Sequence, residues 1–250
     1  MRLQPRKRFG QHFLVDVSVI ADIHEVLHIS GNDRVLEIGA GYGNLTRGLV
    51  ATGAELVIVE LDRVLIKYLR KHFSNTTIIE GDVLELEADV FGSRRIVGNL
   101  PYGISTPLLT NLYGFNNTRD LHFMLQKELA DRLVATPNTK SWGRLSVKMQ
   151  HMFDVTTLFE VPSDAFDPPP AVISAFVRFD RKESPLEISN MNLFNTVLTA
   201  AFSQRRKKIS SSLKKFKVDW DTVCVDVNLR GDQLNVAEFV TIANSLFSEP

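Results

Sequence analysis

The sequence predicts an α/β protein, a doubly wound, mainly parallel sheet of seven strands, followed by a small all-helical C-terminal domain. Three observations carry that reading. Short apolar runs of strand length alternate with helical patterns through the first two-thirds of the chain. A glycine-rich turn directly follows the first of these runs. Past Asp180 the strand signal stops and only helical patterns remain.

The elements follow in order. Residues 18–28 read as a helix leading into a strand at 34–38, and residues 45–52 as the helix after the glycine turn. The next units are a strand at 56–60 with a helix at 64–72, then strands at 76–80 and 95–98. A helix at 107–113, opened by Pro107, precedes a strand at 120–126. Helices at 129–135 and 144–153 come next, and strands at 155–161 and 173–179 close the sheet as a pair joined through residues 163–171. The charged, proline-terminated stretch from Arg181 to Pro185 suits a boundary, so the expected domains are 1–180 and 181–250. Helices are expected in the second at 193–201, 204–214 and 236–246.

Composition sets bounds. With 250 residues, 44% of them hydrophobic, the chain holds a sizeable core and does not read as disordered. Its longest apolar runs are strand-sized, far short of the roughly 20 residues of a membrane span, so no membrane role is expected. No apolar signal segment follows the basic N-terminus, and a lone Cys224, read as core or half-buried, fits a reducing compartment, so the expected location is the cytoplasm. No thiolate cluster offers a metal site, and no helical face carries a heptad seam, which points to a monomer without a metal.

The net charge of zero hides an asymmetry. Between Ser203 and Lys217 stand Arg205, Arg206, Lys207, Lys208, Lys214, Lys215 and Lys217 with no acid among them. Arg2, Arg6, Lys7 and Arg8 form a second unrelieved basic segment. Two such segments on a balanced chain suggest a localised polyanion-binding face.

Chemistry concentrates at the expected carboxyl ends of the strands, where sheets of this kind bind ligands. The run Glu37-Ile38-Gly39-Ala40-Gly41-Tyr42-Gly43 lets the backbone turn and approach a ligand closely. Its spacing is not that of the dinucleotide fingerprint, and a carboxylate at Glu37 would repel a pyrophosphate. It suits the ammonium group of a methionine moiety, which favours S-adenosylmethionine as cofactor. Glu60, ending the next strand, is placed to accept from both ribose hydroxyls, and Asp82 from an adenine amino group. After the fourth strand comes Gly98-Asn99-Leu100-Pro101-Tyr102. An adenine amino nitrogen is a poor nucleophile because its lone pair is delocalised into the ring. Two acceptors, the Asn99 side-chain oxygen and the Pro101 carbonyl, would take its two hydrogens and aim the lone pair at a methyl donor, while Tyr102 stacks on the base. Asn99, Pro101 and Tyr102 are therefore the candidate catalytic residues.

These segments, together with Arg6-Lys7-Arg8-Phe9-Gly10-Gln11-His12-Phe13-Leu14, Gly103-Ile104-Ser105-Thr106, Phe166-Asp167-Pro168-Pro169-Pro170 and Gln204-Arg205-Arg206-Lys207, resemble the KsgA-type family of ribosomal RNA adenine dimethyltransferases, its bacterial small-subunit branch in particular. The resemblance runs through nearly the whole chain. It implies a Rossmann-like methyltransferase domain with a helical C-terminal RNA-binding domain. The implied reaction dimethylates two adjacent adenosines near the end of 16S ribosomal RNA within an immature small subunit. It further implies backbone contacts from His12 and Leu14 to the cofactor, with Gly39, Glu60, Asp82 and Asn99 completing that site. Phe166 would give the flipped base a second aromatic face, and Arg205, Arg206, Lys207 and Lys208 would contact RNA. His12 and Gly103 depart from the family, which usually has Asn at both positions. Two other readings stand beside this one: an assembly checkpoint factor that acts mainly by binding, and a large-subunit methyltransferase of the macrolide-resistance type.

Overall fold

The computed structural model describes residues 10–115 and 118–246. The basic residues Arg2, Arg6, Lys7 and Arg8, with Phe9, lie outside the described residues. Among the described residues no helix is long and apolar enough to cross a membrane.

The described residues form two compact units, one up to residue 130 with 155–181, the other 131–154 with those from 182 onward. The first contains a seven-stranded sheet. A two-residue strand β1 (Phe13–Leu14) precedes helix α1 (Val17–Leu27), which Asp16 caps by accepting from the N–H groups of Ser18 and Val19. Then follow β2 (Arg34–Ile38), α2 (Thr46–Ala51), β3 (Glu55–Glu60), α3 (Arg63–His72) and β4 (Thr77–Glu80). The short α4 (Ala88–Phe91) leads to β5 (Arg95–Asn99), α5 (Tyr102–Tyr113), β6 (Asp120–Gln126) and α6 (Lys127–Leu133). After α7 (Arg144–Met152) come β7 (Phe153–Val161), the two-residue β8 (Phe166–Asp167) and β9 (Ser174–Arg181).

The strand order is β4-β3-β2-β5-β6-β9-β7. β4, β3, β2, β5 and β6 run parallel, and β9 lies antiparallel to β6. Order reverses between β2 and β5, so a crevice opens where those two strands end, at Ile38 and Asn99. The central strands read as apolar runs because they are covered on both faces. Val35, Leu36, Ile58, Ile96 and Leu121 are wholly buried. Gly98 allows β5 and β2 to approach: a Cβ there would lie 2.6 Å from the Ile38 carbonyl oxygen.

The second unit has its own core, in which Trp142, Val147, Phe194, Val197, Ile209, Leu234 and Phe239 are buried together. It is helical: α8 (Met191–Ser203), the short α9 (Ile209–Ser212) and α10 (Trp220–Val223), and α11 (Val236–Ser245), with α7 entering from the middle of the chain. Asn190 caps α8, and Asn235 with Glu238 forms a capping box on α11.

Four expectations are corrected. Residues 131–154, expected in the first domain, belong to the second unit, where the Trp142 indole donates to the Leu234 carbonyl at 3.0 Å. Helix α5 starts at Tyr102, ahead of Pro107, which sits inside it and leaves one intrahelical bond unmade. The helix expected over 204–214 is reduced to α9, because backbone bonds divert the basic run: Lys208 bridges Arg230, and the Ile209 N–H donates to Leu229 at 2.6 Å. Cys224 is exposed rather than half-buried, at a left-handed position closing α10.

Candidate active site

At the crevice between β2 and β5 lies a cavity of about 430 Å³, within the usual range for small-molecule sites. Its walls bring together His12, Gly39, Glu60, Asp82, Asn99, Pro101 and Tyr102, which are far apart in sequence. Ile38, Val59, Leu61, Leu65 and Val83 supply its apolar surface.

The glycine turn is built as its residue types require. Gly39, Gly41 and Gly43 all have positive φ, and a Cβ on Gly41 would come within 2.8 Å of the Phe13 ring. The Gly39 N–H donates to the Val59 carbonyl at 2.9 Å, which ties the turn to β3.

Glu60, at the end of β3, is buried. One carboxylate oxygen accepts from the N–H groups of Leu61 and Asp62, both at 2.9 Å, and the other from Gly41 at 3.2 Å. Burial raises its pKa, while those three bonds pull the other way. Three of about four lone-pair directions are thus occupied, and one acceptor direction remains on the oxygen that Gly41 shares. Asp82 accepts from Leu84 at 2.9 Å through one oxygen and caps a 3-10 turn at the cavity wall.

Asn99 ends β5, and its Nδ2 donates to the His12 carbonyl at 2.8 Å. That bond fixes the orientation of the amide and leaves Oδ1 as the oxygen to accept. Tyr102 opens α5 with its hydroxyl 2.8 Å from the Ser174 hydroxyl, and burial raises its pKa. The His12 ring stacks on the Tyr102 ring with centroids 5.6 Å apart, and its Nδ1 lies 2.7 Å from the Pro168 carbonyl. The Pro101 carbonyl is already engaged: it accepts from the Ile104 N–H at 3.1 Å and from the Ser105 hydroxyl at 3.3 Å.

Other expected site residues lie elsewhere. Glu37 is buried beneath the glycine turn, where the Thr46 hydroxyl donates to it at 2.6 Å, and burial pushes its pKa up to about 7. It is not on the wall of the large cavity. Leu14 pairs with Phe166 across the β1/β8 ladder, and its carbonyl accepts from the Asn44 amide at 2.7 Å. Phe166 is 3% exposed and packed in the core of the first unit, so it offers no open aromatic face. Arg205 is engaged inside the second unit, donating to Asp232 at 3.0 Å and to the Thr139 carbonyl at 2.9 Å. Lys208 donates to Asn228 at 2.7 Å yet stays exposed, as do Arg206, Lys207, Lys214, Lys215 and Lys217. Ser105 and Ser174 were not anticipated. Ser105 stood in the sequence only as part of the Gly103–Thr106 segment that carries the family resemblance, with no role of its own, because the helix was expected to start later, at Pro107.

The site suits S-adenosylmethionine: a sharp glycine turn with no Cβ to block a ligand's approach, an acid after each of two strands, and an apolar slot beside them. Fold and cavity together place the protein among the S-adenosylmethionine-dependent methyltransferases. A family model described as ribosomal RNA adenine dimethylase matches residues 2–247. The chain is 46% identical to the ribosomal RNA small subunit methyltransferase A of Nitrosospira multiformis over 98% of its own length and 97% of the relative's. It is 41% identical to the protein of the same name from Nitrosomonas europaea over 100% and 99%. Among solved structures it resembles a dimethyladenosine transferase from Plasmodium falciparum (TM-score 0.80, 25% identity, 92% and 96% covered). It also resembles the 23S rRNA methyltransferase ErmE (TM-score 0.75, 25% identity, 94% and 100% covered). The chain belongs to the ribosomal RNA adenine dimethylase family.

Proposed function

We propose that this enzyme dimethylates two adjacent adenosines near the 3' end of 16S ribosomal RNA, at their exocyclic N6 positions. The substrate is the RNA within an immature small subunit, and the enzyme acts as a cytoplasmic monomer. The observation that carries the reading is the Asn99 amide, turned by the His12 carbonyl so that Oδ1 is left to accept beside Glu60 and Asp82 in one cavity. The small-subunit names of the relatives at 46% and 41% identity support the choice of RNA over a large-subunit substrate.

S-adenosylmethionine, held by the Gly39–Gly41 backbone, Glu60 and Asp82, supplies a methyl group on a sulfonium sulfur. The protein's share is placement. Asn99 Oδ1 and the Pro101 carbonyl accept the two amino hydrogens of the target and direct its lone pair toward the methyl group, and Tyr102 stacks on the base. Ser174 and His12 hold the Tyr102 ring from its hydroxyl and from one face, so the stacking surface is pre-organised. The exposed cations Arg206, Lys207 and Lys208, with Lys214, Lys215 and Lys217, meet RNA phosphates without reading sequence.

The test is transfer of labelled methyl to undermethylated small subunits, with mass analysis of nucleosides and Asn99→Ala as control. Dimethyladenosine from wild type alone supports the assignment. Label appearing on large-subunit RNA, or on neither, sinks it. A variant that binds subunits, fails to methylate and yet fully supports their maturation would favour the binding role instead.

A further inference from the structure

Ser105 stands in the first turn of α5 and is 1% exposed. Its hydroxyl donates to the Pro101 carbonyl at 3.3 Å, the same oxygen that takes the Ile104 N–H at 3.1 Å. A carbonyl oxygen has two lone pairs, so this one is fully engaged before any substrate arrives. The Ile104 bond belongs to the main chain and shapes the turn. The Ser105 bond is longer and made by a hydroxyl that rotates, so it is the one a substrate displaces.

The two methylations make different demands on that oxygen. In each, the bond from sulfur to the methyl carbon breaks, sulfur keeps the electron pair, a nitrogen–carbon bond forms and the nitrogen gives one proton to water. Before the first transfer the nitrogen carries two hydrogens and calls on both Asn99 and Pro101. Before the second it carries one hydrogen, which Asn99 Oδ1 accepts alone. We infer that Ser105 is a positioning residue that sets the relative rates of first and second methyl transfer by competing with the substrate for the Pro101 carbonyl. The inference rests on the two-acceptor reading of Asn99 and Pro101. In the first transfer the Ser105 hydroxyl gives up its acceptor in a place with little access to water, which opposes that step. In the second it keeps the bond.

The experiment is single-turnover methylation with excess enzyme and undermethylated small subunits, quenched over time and resolved into mono- and dimethyladenosine. Ser105→Ala is expected to raise the ratio of first to second rate constant about tenfold, the order of effect for a buried donor relieved of losing its acceptor. Monomethyladenosine then accumulates early. Ser105→Thr restores a hydroxyl and returns the ratio toward wild type. Ser105→Cys, a weaker donor, moves it in the alanine direction by less and serves where alanine or threonine fails to fold. General loosening of the site slows both transfers together, so an unchanged ratio in Ser105→Ala or Ser105→Cys overturns the inference. Asn99→Ala separates the two layers. Loss of both transfers there, beside an unchanged ratio in the Ser105 variants, overturns only the role of Ser105, whereas survival of both removes the two-acceptor reading beneath it.

Discussion

Replacing Glu37 by glutamine tests the buried acid under the glycine turn. In the wild type the carboxyl is 2% exposed, accepts from Thr46 at 2.6 Å and has a pKa pushed by burial from an ordinary 4.5 up to about 7. The unfolded chain releases this proton near 4.5 and the native protein only near 7. Between those values the native state binds more protons, so Glu37 weakens the fold progressively as pH rises through that window and by a constant amount above it. At about 1.4 kcal/mol per pH unit, the whole window is worth about 3 kcal/mol. Glutamine keeps the shape and the acceptor for Thr46 but does not titrate. Relative to wild type, Glu37→Gln therefore gains about 3 kcal/mol between the acid side of the window and mildly alkaline pH. Trp142 and Trp220 both lie in the second unit, so tryptophan fluorescence misses the effect. Urea titration followed by far-ultraviolet circular dichroism, with hydrogen exchange at the β2 amides, reports the relevant unit. A stability difference that stays flat with pH, or that narrows in favour of wild type as pH rises, refutes the reasoning.

Gly98→Ala forces a Cβ against the Ile38 carbonyl, and about 1–3 kcal/mol of stability is lost as the strands shift; an unchanged urea midpoint contradicts this. Phe166→Ala removes a core side chain and costs about 3–5 kcal/mol, while the fraction still folded keeps its KM for RNA. A selective rise in that KM would restore the base-stacking role to Phe166. Lys207→Gln lowers the salt dependence of RNA binding by about one phosphate contact. Arg205→Gln instead costs about 1 kcal/mol of stability through its lost bonds to Asp232 and Thr139, with a smaller change in salt slope; equal slopes for the two variants would undo the distinction.

Strands were legible because a strand covered on both faces announces itself as an apolar run: β2 and β6 fall at the bounds expected of them. The cavity residues were legible because chemistry at such a sheet collects at strand ends, and Glu60, Asp82 and Asn99 sit there. What the sequence hid depends on tertiary contact. Nothing local tells that the basic run near Lys208 will bridge Arg230, or that residues 131–154 will core with helices beyond 182. Arg205 and Lys207 have the same charge and neighbouring positions, and only folding commits the first to Asp232. Glu37 looked like a ligand acid because it precedes the glycines, yet its side chain lies beneath the turn. Pro107 looked like a helix start because proline favours first turns, while the chain already turned helical at Tyr102.

The place of β9 has a bearing on how the protein is made. It is the last strand in the chain but lies between β6 and β7. On the ribosome, β6 emerges first and must wait with a bare edge while some fifty further residues are added, several seconds at ordinary rates of synthesis. Its apolar sequence makes that edge attractive to other nascent chains until residue 181 has cleared the exit and the gap is filled. A chain truncated before β9 keeps every cavity residue and still lacks the strand that closes its sheet, so it is expected to aggregate rather than to methylate.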